Sequence, residues 1–263
     1  MKLSLCFHVF NKAHWIESVV RSWLDTLSGD HETEVIAVFD DTTDDSERVV
    51  YKTMIDYPAI QYTPLTMTAG WEIRCNNAAL AQAAGEWCVF IQDDNWMHTT
   101  GWDALLIDTA ARHAPAGIVG LLAGGYFTRN QDIHRIECDR PHKGENFTMQ
   151  GCPDAPLGVY EVDFITRPCA APTEIAWQLN GFDEAFYPMD WDETDLSFRA
   201  HRVGLRNLYL PFDLVNVVGK RDTIKENRMR ENYQRGRAIF MARHGEYIRG
   251  RSEGIHQQIE KWG

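Results

Sequence analysis

Two groups of carboxylates stand where chemistry would need them. The first follows Trp87-Cys88-Val89-Phe90-Ile91, a short apolar run of strand character that stops at Gln92-Asp93-Asp94-Asn95. Acids at the carboxyl end of a buried strand sit where open α/β sheets hold their ligands. Hard oxygen donors there suit a Mg²⁺ or Mn²⁺ ion that also grips a diphosphate. The second group is Asp192, Glu193 and Asp195, which open an amphipathic segment after Gly181-Phe182-Asp183-Glu184 and Trp191. Crowded at one helix start, these acids offer a base for proton abstraction.

The elements that must position these groups alternate. Residues 3–9 read as a buried strand. Ile16, Val19, Val20, Trp23, Leu24 and Leu27 then recur at helical spacing, an amphipathic helix against a sheet. Residues 34–39 form a second strand, and Asp40 to Ser46 a polar turn before the next helix. A third strand is expected near 60–62, and a helix over 73–84 ending at Gly85 as C-cap. This βαβ rhythm predicts a mostly parallel, doubly wound half. A helix near 102–113 follows, then a polar loop insertion at 128–158, a strand at 159–165, a short helix at 173–179 and the acidic helix at 192–203. A basic helix is expected near 224–243. At 263 residues and 44% hydrophobic, the chain can bury a substantial core.

Taken in order, these motifs resemble inverting glycosyltransferases of family 2, and the likeness covers about residues 3–250. The strand ending at Asn11, the Asp40-Asp41 turn, the helix carrying Arg74, Ala84-Gly85-Glu86, the acid pair, Gly181-Phe182-Asp183-Glu184 and Asp192-Glu193-Thr194-Asp195-Leu196 each match a family motif. The resemblance implies a GT-A type α/β fold. Its Rossmann-like, mostly parallel central sheet is flanked by helices, with a mixed acceptor-side sheet and a basic C-terminal helix. Residues 1–110 would bind the nucleotide sugar, 111–218 the acceptor, and 219–263 would form the basic segment of one compact domain. It implies transfer of a sugar from a nucleoside-diphosphate sugar, a UDP-sugar first, to an acceptor hydroxyl with inversion, aided by Mn²⁺ or Mg²⁺.

The same resemblance assigns roles. Gln92 falls on the first acid of a DxD-type motif and Asp94 on the second. Asp94 is therefore the expected metal ligand, with Asp93 beside it at the metal's water shell or the ribose. Asp40 and Asp41 would face the nucleobase or ribose, Arg74 the diphosphate or base, and Asn11 the same pocket. Glu193 takes the position of the general base, with Asp192 the alternative because the usual order of Glu and Asp is swapped. Trp191 would stack on a sugar ring or cover the acceptor site, while Asp195 and Arg199, four apart, would clamp the helix. Many relatives carry a metal-binding His where this chain reads Asp213-Leu214-Val215-Asn216; His244 is one candidate to complete the shell.

Other features limit the function classes. A net charge of −12 argues against a general polyanion binder, yet residues 220–251 hold ten Lys/Arg against four Asp/Glu. Lys220 or Arg221 would then contact the diphosphate. Outward cations such as Arg228, Arg235 and Arg249 would recruit an anionic acceptor: a glycan, a lipid-linked glycan at a membrane surface, or a hydroxylated base in nucleic acid. A nucleotidyltransferase or a non-catalytic sugar-nucleotide-binding module are the other readings. No apolar run is long enough to span a bilayer. Six cysteines without CxxC spacing suit a reduced, cytoplasmic protein, peripheral to a membrane if the basic segment docks there. His134, Cys138, His142 and Cys152 form a zinc candidate inside the insertion, and the Asn146 sequon is expected to be silent.

Overall fold

In the computed structural model, residues 1–138, 151–217 and 223–262 are described, without the side chains of 151–154 and 223–229. Strands buried on both faces, with alternate residues pointing into two cores, build the first half. β1 (Lys2–Val9), β2 (Glu32–Asp40), β3 (Gln61–Met67) and β4 (Trp87–Gln92) lie side by side in parallel, linked by α1 (Ile16–Leu24), α2 (Ser46–Met54) and α3 (Trp71–Gln82). Leu3, Leu5, Phe7 and Val9 face a core shared with α1 and α2, whereas Cys6, Ile36 and Val38 face a second core under α3. Gly85 is not the cap of α3, which ends at Ala83. Its amide donates to Ser4 Oγ (2.9 Å), and a Cβ there would lie 2.7 Å from the Ser4 nitrogen, so only glycine lets the chain pass so close to β1.

The second half adds β5 (Asn95–Met97), α4 (Trp102–Arg112), β6 (Ala116–Gly120), β7 (Gly124–Phe127), β8 (Ile133–Cys138), β9 (Gly151–Ala155), β10 (Gly158–Val162), β11 (Phe164–Ile165) and β12 (Cys169–Pro172). Then come α5 (Thr173–Gln178), α6 (Asp192–Arg202), β13 (Arg206–Tyr209), β14 (Leu214–Asn216), α7 (Thr223–Gly250) and β15 (His256–Lys261). The main sheet runs β15-β10-β13-β6-β12-β4-β1-β2-β3, with β10 and β12 opposed to the other strands. Residues 128–158 are thus not a plain loop: β8 and β9 join β7 and β11 in a four-stranded sheet. β5 and β14 pair as a ribbon, setting Asn95 opposite Asn216.

Among the described residues no helix is long and apolar enough to cross a membrane. The five described cysteines with placed side chains (Cys6, Cys75, Cys88, Cys138 and Cys169) are buried free thiols.

Candidate active site

β4 delivers Asp93 and Asp94 to the carboxyl edge of the sheet. Asp93 is held by the protein itself: Oδ2 accepts from the Phe10 amide (2.8 Å) and Oδ1 from Lys12 Nζ (3.0 Å). Trp15 Nε1 donates to its carbonyl (3.1 Å). Asp94 is less well provided. Among the described residues, the side-chain bonds its Oδ1 accepts are long, from Asn95 Nδ2 (3.2 Å) and Asn216 Nδ2 (3.4 Å). Burial and the neighbouring Asp93 charge push its carboxyl up to about 7. A half-buried carboxylate beside a second acid and two side-chain amides suits a hard divalent cation. Where the resemblance leaves a place for His, the structure brings Asn216, because the Val217 amide donates to the Asp94 carbonyl (3.1 Å) and registers β14 on β5.

The second centre forms where α6 begins. Asp192 is 0% exposed, and Arg167 Nη2 donates to its Oδ1 (2.9 Å) and to Glu193 Oε2 (3.1 Å). The same guanidinium lies 3.3 Å from Glu72 Oε2, and Glu72 in turn accepts from Gln92 Nε2. Burial drives the Asp192 carboxyl well up against the pull of Arg167, with Glu193 and Glu72 pushing the same way. Its Oδ2 has no partner. The Glu193 side chain keeps 17% of its surface, so Glu193 rather than Asp192 can meet an acceptor. Gln92 also finds its reason here. An acid at that place would confront Glu72, whereas the amide donates to it.

The remaining expected site residues divide. Asp40 is engaged by the backbone: its two oxygens accept from the Gly70 and Trp71 amides (2.7 Å each), fixing the start of α3. Asp41 is exposed, and one of its oxygens accepts from the Ala69 amide (2.8 Å). Asn11, at φ 52°, ties the end of β1 to the turn after β2 through Thr43 and Asp44. Arg74 is drawn from the expected diphosphate position onto Glu184 (3.0 Å) and the Tyr187 ring, 4.1 Å from its centroid. Trp191 is not offered to a sugar. It is buried among Phe127, Tyr233 and Phe240 because φ 70° turns the chain inward there.

His244 does not join Asp94 either. Buried at 2% exposure, its Nε2 lies 2.9 Å from Asp195 Oδ1, and Arg199 binds the other oxygen (2.6 Å), so the expected 195–199 clamp also fastens α7. Among the described residues, several cations of the basic stripe are turned to internal work. Arg235 donates to the carbonyls of Ala185, Phe186 and Tyr187, Arg243 pairs with Asp183 (2.7 Å), and Arg251 with Asp163 (2.5 Å). Arg235 is thus not free for an acceptor; Arg249 is exposed. In the zinc candidate, His134 stacks on Tyr126, and Cys138 Sγ donates to the Pro156 carbonyl. Asn146, His142, Lys220, Arg221 and the side chains of Cys152 and Arg228 lie outside the described residues. Sequence reasoning missed Lys12, Glu72, Arg167 and Asn216. Lys12, directly after Asn11, and Asn216, in the stretch where relatives carry a metal-binding His, lay near a motif.

A mostly parallel sheet with an acid pair at the end of β4 and an acid-rich helix start beyond it is the architecture of GT-A glycosyltransferases. The chain belongs to glycosyl transferase family 2, whose sequence profile matches residues 4–159. No curated protein matches it in sequence. Solved structures share the fold at low identity. S. aureus TarS 1–349 with UDP is 16% identical at a TM-score of 0.65, over 95% of this chain and 70% of that one. The mannosyltransferase PcManGT from Pyrobaculum calidifontis, solved with GDP-Man and Mn²⁺, is 16% identical at 0.63, over 94% and 64%. GalNAc-T7 with UDP, GalNAc and Mn²⁺ is 11% identical at 0.69, over 94% and 49%. The chain spans 60% of a further TarS 1–349 chain.

Proposed function

We propose that this protein transfers a sugar from a nucleoside-diphosphate sugar, a UDP-sugar first, to an acceptor hydroxyl with inversion. The observation that carries the reading is the pair of carboxylate centres: Asp94 at the end of β4, and Glu193 at the start of α6. They are joined through Gln92, Glu72 and Arg167. Asp94 is the residue to hold Mn²⁺ or Mg²⁺, with Asp93 fixed behind it by Lys12 and Asn216 alongside. A bound cation would neutralise the diphosphate as it leaves.

Asp41 and Asn11 border the nucleotide side. Glu193, partly exposed and steered by Arg167, takes the proton of the acceptor hydroxyl as that oxygen attacks the anomeric carbon and the bond to the diphosphate oxygen breaks. Residues 1–110 supply the donor side and 111–218 the acceptor side. The acceptor is a hydroxyl-bearing molecule. The internal pairing of Arg235, Arg243 and Arg251 gives little support to a nucleic-acid or membrane surface as its carrier.

The test is a panel of sugar nucleotides read by thermal shift with and without Mn²⁺, since a bound donor raises stability by mass action. Released nucleoside diphosphate is measured in parallel. A metal-dependent shift with one nucleotide class and slow donor hydrolysis are expected. Absence of any shift across the panel overturns the reading, and formation of nucleoside triphosphate and sugar 1-phosphate on adding pyrophosphate would identify a nucleotidyltransferase instead.

A further inference from the structure

A second convergence of ligand-type side chains lies on the other side of the β1–β2 edge. His8, Asp40 and Cys75 each bring one donor atom within 4.8 Å of the other two. They come from three elements. His8 is near the end of β1, where parallel register sets it beside Val38, two residues before Asp40 at the end of β2. Cys75 sits in the second turn of α3, which packs over this face of the sheet.

Each residue is poised in its own way. His8 Nε2 is buried without a hydrogen-bond partner and stands 3.9 Å from Asp40 Oδ2, beyond hydrogen-bond reach. Asp40 is pinned by the Gly70 and Trp71 amides, and each of its oxygens keeps a second lone pair. Cys75 is a free thiol at 0% exposure, with Met67 Sδ at 3.8 Å. A buried imidazole nitrogen left unmet by any partner is unfavourable. A cation between the three groups would satisfy it.

One nitrogen, one sulfur and one carboxylate oxygen are a borderline donor set. Magnesium, calcium and manganese favour all-oxygen shells, whereas zinc takes N, S and O together. We propose that His8, Asp40 and Cys75 form a three-ligand Zn²⁺ site with a fourth position for water. Tetrahedral zinc with ligands at about 2.0–2.3 Å requires the three donors to draw in by roughly 1 Å, which side-chain rotation supplies. The Cys75 thiol gives up its proton to solvent as the metal–sulfur bond forms, and His8 binds neutral. The ion would rivet the start of α3 to the ends of β1 and β2. It is chemically distinct from the oxygen-rich centre at Asp94, and the inference does not depend on the proposed reaction.

The test uses the full chain, stripped with chelator and titrated with Zn²⁺ and with Co²⁺. One Co²⁺ per chain should bind with a thiolate-to-cobalt charge-transfer band and tetrahedral d–d bands, and Zn²⁺ should displace it. Cys75→Ser should abolish the charge-transfer band. His8→Gln should weaken binding by more than the roughly tenfold that loss of an outer partner of a metal costs. Asp94→Ala should keep the band. Should Cys75→Ser fold poorly, wild-type protein answers through alkylation mapped by mass spectrometry: Zn²⁺ should slow labelling of Cys75 relative to Cys6, Cys88 and Cys169. Absence of a charge-transfer band at saturating Co²⁺, a band that survives Cys75→Ser, or equal labelling with and without zinc would each overturn the site.

Discussion

Arg167 is the residue on which the second centre depends, and Arg167→Met is the substitution that shows it. The guanidinium is 5% exposed and reaches Asp192 at 2.9 Å, Glu193 at 3.1 Å and Glu72 at 3.3 Å. Methionine fills much of the side-chain stem but leaves three carboxyl groups with no cation. Breaking a buried ion pair from one side costs about 3–5 kcal/mol, which for a chain of this size lowers Tm by on the order of 10 °C. Part of that cost is repulsion among the acids left behind. Glu72→Gln removes one of them and still lets the side chain accept from Gln92. The double variant should therefore be less destabilised than the two single variants summed, by about 0.5–3 kcal/mol, the usual coupling between contacting residues. Urea unfolding followed by tryptophan fluorescence measures all four corners of the cycle. A loss below about 1 kcal/mol for Arg167→Met, against the 3–5 of a broken buried pair, would refute the network argument. So would strict additivity.

Three further outcomes are expected. Glu193→Gln should lower kcat by about 10²–10⁴ with little change in donor affinity, whereas Asp192→Asn should cost far less because Asp192 is fully buried and out of an acceptor's reach; steady-state kinetics of both variants decides, and the reverse order would move the base to Asp192. Asp94 binds a cation only as the anion, and with its carboxyl pushed up to about 7 the proton competes below that pH. Mn²⁺ affinity with UDP present should therefore fall about tenfold per pH unit below 7, and Asp93→Asn, by removing a like charge, should move the break to lower pH in calorimetric titrations. Arg235→Glu should destabilise the protein by about 0.5–1.5 kcal/mol, the net worth of a hydrogen bond, through the lost bonds to the carbonyls of 185–187, while Arg249→Glu should leave Tm unchanged.

How much of this was legible depended on the distance over which each signal acts. The first four strands and the helices α1, α3 and α6 followed from periodic burial, and Asp94 stood out because it ends an apolar run. β8 and β15 were not legible. Their sequences, Ile-His-Arg-Ile-Glu-Cys and His-Gln-Gln-Ile-Glu-Lys, are polar because these strands are only partly buried. Arg167 and Glu72 were hidden for a different reason. Their meaning lies in contacts 25 and 95 residues apart, which no local pattern encodes. Trp191 misled in the opposite sense: a tryptophan before an acid motif suggested a sugar platform, but its left-handed backbone turns the ring inward.

β12 has a consequence for how the chain comes together. This four-residue strand is wedged between β4 and β6, pairing Cys169 with Phe90 on one side and with Gly120 on the other. The centre of the sheet is thus closed by residues made some eighty positions after the strand they join, and loop closure over that span must precede the reward of pairing. The donor-side strands therefore end in an open edge at β4 until the acceptor side has arrived. Asp94 and Arg167 stand just beyond the ends of the two strands that meet there, β4 and β12. The seam between β4 and β12 is the one that assembles the site, and amides of these two strands should exchange with solvent only when the whole protein opens.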